Sequence, residues 1–321
     1  MSLDLTSIVD ELSGRNRESG REMHVATMTL VMLFEDETIG ELARDRIHTL
    51  SSKHPSRVIV LDACRDERLH SVKAGDWVEL GVKTSGPEML RSAVCTLRLP
   101  DAPIVLLWIA SGIGTDARFA SLSDLAETIV YNSSLLDAGH AALCELVEYV
   151  DRYPQLPLAD IAYLRLAPWQ ESVAIFFDGK NVSELHDLRR VEITCGSEPE
   201  AFYLLGWLAS RLQWTPQSAD ALRDAAGETV AFQIRRAGEP RRIQRVALST
   251  SSSHFIAEVD QRAETIELSV TGSSSHAQRY RAIKNPGIAA LVERAILWGQ
   301  SDRVFRHALA SAGQILAHRK G

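Results

Sequence analysis

The sequence predicts an α/β protein: an N-terminal mixed or parallel sheet with helices on both faces, followed by a C-terminal α+β half with an antiparallel meander. Three observations predict it. Short, almost unbroken apolar runs alternate with helical patterns through residues 25–150. Four strand patterns then follow one another between residues 229 and 271, with gaps too short for crossover helices. The composition, 45% hydrophobic and 24% charged over 321 residues, is that of a globular chain long enough for two domains. The boundary is expected at Tyr153-Pro-Gln-Leu-Pro157, giving domains 1–152 and 153–321.

Each element has its own signal. Val25–Phe34 passes from alternation at Thr27 and Thr29 to a continuous apolar run, which reads as a strand entering a sheet centre. Asp36-Glu37-Thr38 opens a helix with acids at its positive end, and His54-Pro55 stops it. Arg57–Asp62 and Trp77–Val82 are the next strands. Pro87 starts a helix that ends near Leu99, before the strand Pro103–Ala110. A short helix at Ser121–Ala126, the strand Thr128–Asn132 and the helix Asp137–Val150 complete the first half. Beyond the crossing, Asp160–Leu166 and Trp169–Phe177 read as helical, Arg190–Cys195 as a strand and Glu198–Leu212 as a helix. The meander is expected at Thr229–Arg236, Arg242–Thr250, His254–Asp260 and Thr265–Thr271, with helices Pro286–Trp298 and Ser301–Leu316 closing the chain.

Composition excludes several functions. A net charge of −7 argues against binding nucleic acid by phosphate neutralisation, and 6% aromatics against a stacking platform for single strands. Met1–Thr6 has no basic and apolar leader pattern, and the longest apolar runs fall short of the ~20 residues that span a bilayer. A cytoplasmic protein with no membrane partner is expected, so its four cysteines should be reduced. Cys95, Cys144 and Cys195 sit in apolar contexts and read as packing residues, whereas Cys64, beside Arg65, is the candidate low-pKa redox thiol.

The sharpest motif is Gly112-Ile-Gly-Thr-Asp-Ala117, which fits G-x-G-x-x-G/A after a buried strand, with Asp137 about twenty residues on. It could bring backbone N–H groups to a pyrophosphate, and it equally fits a plain strand-to-helix loop. Asp116 would oppose the phosphates there. The ten histidines form no metal-ligand spacing, and no P-loop or G-x-S-x-G elbow occurs, so no metal, cofactor or catalytic residue is assigned. Ser-Ser-Ser-His occurs at Ser251–His254 and Ser273–His276. Near Arg279 and Arg281 these loops could hold a sugar phosphate, or they are two solvated turns. Trp207 and Trp214 share a helix face that suits a core or a partner surface.

Four segments in order carry a family resemblance: His54-Pro-Ser-Arg-Val-Ile-Val-Leu61, Leu99-Pro-Asp-Ala-Pro-Ile-Val105 with Trp108, Asp160-Ile-Ala-Tyr-Leu-Arg-Leu-Ala-Pro-Trp169, and Gly206-Trp-Leu-Ala-Ser-Arg-Leu212. With them the chain resembles the OpcA-type glucose-6-phosphate dehydrogenase assembly proteins of bacteria, from about Val25 to the C-terminal helices. The resemblance implies a non-catalytic partner of glucose-6-phosphate dehydrogenase that promotes its assembly and active state, supporting NADPH supply through the oxidative pentose phosphate pathway. Trp108, Arg165 and Trp169 are then the expected partner-interface residues. Cyanobacterial relatives are associated with thioredoxin, but their frequent His-Pro-Cys-Arg reads His54-Pro55-Ser56-Arg57 here, which removes the thiol from that position. The alternative is a nucleotide- or sugar-phosphate-binding sensor or enzyme using the Gly112–Ala117 loop.

Overall fold

Val31, Met32, Leu33 and Phe34 leave no polar position, so both faces of their strand must be covered. In the computed structural model this strand lies at the centre of a seven-stranded sheet. The structure describes residues 5, 7–10, 26–66, 68–73, 76–135, 139–155, 157–237, 242–260, 265–272, 277–282, 287–298 and 302–319. The first elements are β1 (Met28–Phe34), α1 (Glu37–Lys53), β2 (Ser56–Asp62), β3 (Arg68–Lys73), β4 (Trp77–Gly81), α2 (Pro87–Leu97), β5 (Ile104–Ile109), α3 (Ala117–Ser123), β6 (Thr128–Tyr131), α4 (Gly139–Arg152) and β7 (Leu158–Asp160). The sheet order is β3-β4-β2-β1-β5-β6-β7. Six of its strands are parallel and the edge strand β3 is antiparallel to β4. Leu33 pairs with Leu61 on one side and Trp108 on the other. Helices flank the sheet, as the alternating sequence pattern requires. Asp36 caps α1 by accepting from the Ile39 amide at 2.8 Å, with Glu37 at the positive helix end and Lys53 at the negative one.

The second sheet is built from β8 (Arg190–Cys195), β9 (Thr215–Ser218), β10 (Ala221–Arg223), β11 (Thr229–Arg236), β12 (Ile243–Ser249), β13 (Ser253–Asp260), β14 (Thr265–Gly272) and β15 (Ala277–Ala282). Its order is β15-β14-β13-β12-β8-β11-β10-β9. The expected hairpin between Thr229–Arg236 and Arg242–Thr250 does not form, because β8 lies between them, parallel to β11 and antiparallel to β12. Parallel strands need a crossover, and α7 (Glu198–Leu212), which follows β8, supplies it. The meander is therefore β12 to β15 within a mixed sheet. The remaining helices are α5 (Ile161–Leu164), α6 (Ala167–Phe176), α8 (Ile288–Trp298) and α9 (Arg303–Arg319). Asp160, expected to begin a helix, instead ends β7, which pairs with β6.

Two compact units result: Met1–Asn132 with Glu148–Ile161 and Gly287–Ser301, and Ser133–Val147 with Ala162–Pro286 and Asp302–Gly321. The sequence suggests one boundary at 152/153; the contacts make both units discontinuous. Helix α8 belongs to the first unit, packing on α1, and the His54 imidazole there lies 2.9 Å from the Glu293 carboxylate. In the second unit α9 packs along α7. Gly206 makes that approach possible, since a Cβ there would lie 2.3 Å from the Ala308 carbonyl and 2.8 Å from the Ala312 nitrogen. Those are backbone atoms of a packed helix and cannot yield locally. Gly206→Ala is therefore expected to lower the unfolding free energy by about 1–3 kcal/mol, read from the denaturant midpoint.

Candidate functional site

Strand order reverses between β1 and β5, and open α/β sheets bind ligands beyond the carboxyl ends of the strands at such a reversal. The loop after β1 begins Glu35-Asp36, and the loop after β5 carries Gly112–Ala117. Gly112 has φ +72°, a value glycine adopts without strain, and its carbonyl accepts from the Thr115 and Asp116 amides at 3.0 and 2.7 Å. Asp116 caps α3, accepting from the Arg118 amide at 2.7 Å, and both its carboxylate oxygens lie 3.0 Å from Arg118 Nε. The same guanidinium donates to Glu35 across the crevice. Ser111 donates to Glu35 as well, through its amide at 3.4 Å and its hydroxyl at 3.2 Å. Hydrogen bonds to Asp116, and after it to Glu35, hold Arg118 above its ordinary pKa. The structure thus brings the motif together, but on the protein's own charges. Asp137 lies outside the described residues.

A second charged cluster lies at the end of β2. Asp62 is fully buried and Glu79 nearly so, and Arg44 from α1 donates to them at 2.6 and 2.5 Å. Arg65 reaches Asp62 at 3.3 Å, and the Cys64 amide donates to Asp62 at 2.9 Å. Cys64 is accordingly not the low-pKa thiol expected from its arginine neighbour. Burial pushes its pKa up, and the Asp62 carboxylate adds to that. Cys195 is the buried packing residue expected, its pKa pushed up to about 12 chiefly by burial. Cys95, by contrast, is exposed and Cys144 only half-buried.

Of the three expected interface residues, Trp108 and Trp169 are interior and Arg165 is half-buried. Trp108 has no exposed surface and stands edge-on to Phe119, ring centroids 5.1 Å apart. Trp169 is 6% exposed, in α6. Arg165 pairs with the buried Glu200 of α7 and donates to Ser134 Oγ at 3.1 Å. Residue type suits an interface for each, but the two tryptophans have little surface to offer a partner, while Arg165 keeps part of its side chain exposed. Trp214 is likewise buried, while Trp207 is half-buried.

The Ser251–His254 turn is also committed internally. Ser251 donates to Asp187 through its amide at 3.1 Å and through its hydroxyl, which lowers the Asp187 pKa. Thr250 and Ser253 hydroxyls donate to Glu184 at 2.8 and 3.1 Å. Carboxylates occupy the place where a phosphate was expected. Ser273–His276 lies outside the described residues, as do the side chains of Arg279 and Arg281.

The first unit carries one further concavity, an open cleft of about 750 Å³ where Tyr149 and Tyr153 face Arg91, Arg152, Glu88 and Asp124. Tyr149 and Tyr153 stack with centroids 4.7 Å apart, and burial raises the Tyr149 pKa. Among the described residues no group of three or more His, Cys, Asp or Glu is placed to hold a metal ion. No helix there is long and apolar enough to cross a membrane.

Residues 156–309 match the OpcA family model, described as the C-terminal domain of a glucose-6-phosphate dehydrogenase subunit. Two cyanobacterial proteins named OxPP cycle protein OpcA are similar over nearly the same length. The one from Synechocystis sp. is 32% identical over 147 residues, 44% of this chain and 30% of that protein. The one from Nostoc punctiforme is 30% identical over 146 residues, 44% and 31% respectively. Over this stretch the chain is similar to the OpcA family. The matched stretch spans under a third of either relative's length. Across nearly the whole chain, the fold is similar to solved oxidoreductases. KijD10, a 3-ketoreductase from Actinomadura kijaniata in complex with TDP-benzene and NADP, matches with TM-score 0.57 at 11% identity over 91% of this chain and 96% of that one. The aldose-aldose oxidoreductase of Caulobacter crescentus matches with TM-score 0.53 at 10% identity, covering 92% and 98%.

Within the matched residues 156–309, the segments 160–169 and 206–212 carry the Arg165–Glu200 pair, buried Trp169 and the Gly206 crossing. Arg165→Met is expected to destabilise the fold by about 1–3 kcal/mol by removing a charge partner of the buried Glu200, and Arg165→Met/Glu200→Leu to recover part of it, as measured by denaturant unfolding. At about pH 7.5, iodoacetamide should modify Cys95 before Cys64 and reach Cys195 only on unfolding, followed by peptide mass spectrometry.

Proposed function

We propose that this chain is a non-catalytic assembly factor and allosteric activator of glucose-6-phosphate dehydrogenase, acting in the cytoplasm and supporting NADPH supply through the oxidative pentose phosphate pathway. The single observation that carries this reading is the match of residues 156–309 to a domain described as part of a subunit of that dehydrogenase. The names of the cyanobacterial relatives, which join OpcA to the OxPP cycle, support it. The internal geometry supports the non-catalytic part. The two loops with the best claim to a substrate, Gly112–Ala117 and Ser251–His254, are closed by Glu35, Asp116, Glu184 and Asp187. A nucleotide or sugar-phosphate sensor would need those places open.

An activator of this kind binds the active conformation of the dehydrogenase more tightly than the inactive one, and the difference sets the population shift. A tenfold activation needs a difference of about 1.4 kcal/mol. The test combines the purified dehydrogenase of the same organism with this chain. Co-elution on size exclusion and a several-fold rise in specific activity are expected. No complex at micromolar concentrations and unchanged activity would remove the reading.

A further inference from the structure

The oxidoreductase fold raises the question of whether the first unit takes a dinucleotide. Such a site needs three things: glycines in the turn after the first strand, a helix N-terminus facing the pyrophosphate, and an acid at the end of the second strand for the ribose. β1 ends at Phe34, and the next six residues are Glu35-Asp36-Glu37-Thr38-Ile39-Gly40. Set on G-x-G-x-x-G, the third glycine is kept and the first two are glutamates. The kept glycine still does the packing job: a Cβ at Gly40 would lie 2.4 Å from the Phe34 ring. The two positions that let a phosphate approach the backbone now carry carboxylates. Asp36 adds a third at the same helix end, where it caps the Ile39 amide. The ribose acid survives as Asp62, but it is buried on Arg44, Arg65 and the Cys64 amide. Arg44 itself lies 4.6 Å over the Phe34 ring, closing the space between α1 and β2. The residues present do not fit the group.

We infer that the first unit is a dinucleotide-type sheet whose phosphate position is held by the chain's own lattice of Glu35, Arg118, Asp116 and Ser111. The guanidinium of Arg118 provides the positive charge at the crevice mouth and Glu35 the negative one, so the turn after β1 and the loop after β5 are cross-linked without any ligand. An added pyrophosphate would meet Glu35 and Glu37 and would have to displace a charge-assisted pair. NADP(H) levels are consequently not sensed by this crevice. This conclusion is independent of which protein the chain activates.

The test uses the isolated full chain. NADPH, NADP, NADH and NAD are titrated up to about 1 mM by nucleotide fluorescence, calorimetry and thermal shift. No saturable binding and no rise in Tm are expected. Saturable binding of any of the four within that range, displaced by pyrophosphate, overturns the inference. Arg118→Met is expected to lower Tm by at least about 2 °C, with none of the nucleotides restoring it. An unchanged Tm would show that the lattice does not hold the crevice. Should Arg118→Met fail to fold, Arg118→Lys, which keeps the charge but loses the two-carboxylate grip, should show the same fall. The dehydrogenase is absent from every arm, so failure here leaves the activation assay untouched.

Discussion

At the carboxyl ends of the parallel strands, one guanidinium has to satisfy two carboxylates that arrive on different loops. Arg118 can do this because its planar fork grips Asp116 side-on and still has an N–H left for Glu35. Without it, Glu35 and Asp116 would repel across the crevice of β1 and β5. The neighbouring Asp62–Glu79 pair has the same need and the same answer in Arg44 and Arg65. The first unit is therefore a sheet whose strand ends are neutralised from within. That is a different solution from binding an anionic cofactor, achieved on the same strand order.

The family resemblance has a comparable physical content. Its segments in the second unit are mostly interior: a half-buried arginine on a buried glutamate, a buried tryptophan of α6 and a glycine where two helices nearly touch. In this arrangement the charge pair and the glycine contact favour the helix faces that meet here, since a side chain at Gly206 would strike the α9 backbone. What such residues preserve is a shape. An activator that works by preferring one conformation of a partner depends on the persistence of its own shape, so packing motifs are the part of such a chain most closely tied to its proposed role.

Much of the fold was legible because the central strands β1, β2, β5 and β6 are largely apolar runs and β4 alternates. The strands not anticipated are short or lie at or near edges: β3, β7, β9, β10 and β15. The three or four residues of β7, β9 and β10 leave little periodicity to read, β3 and β15 have a partner on one side alone, and β8's place between β11 and β12 depends on pairing that no local pattern encodes. The site was harder to read. Tryptophan and arginine are favoured both in interfaces and in cores, so residue type alone could not separate Trp108 or Arg165 at a surface from the same residues inside. Gly112 drew attention to the wrong loop. The informative signal was a pair of glutamates two residues apart with Gly40 three residues later, visible as a degraded motif only once β1 was known to end at Phe34.

Helix α8 gives the chain an unusual itinerary. Residues 287–301 complete the unit that residues 28–132 begin, with the bulk of the other unit intervening in sequence. During synthesis the nascent α1 surface must therefore wait, uncovered, while about 230 residues between Lys53 and Ile288 leave the ribosome at about 5–20 residues per second. Cellular production of this molecule thus contains a built-in interval of several seconds or more in which a half-finished sheet relies on solubility or chaperones, and any truncation before α8 would leave it in that condition permanently.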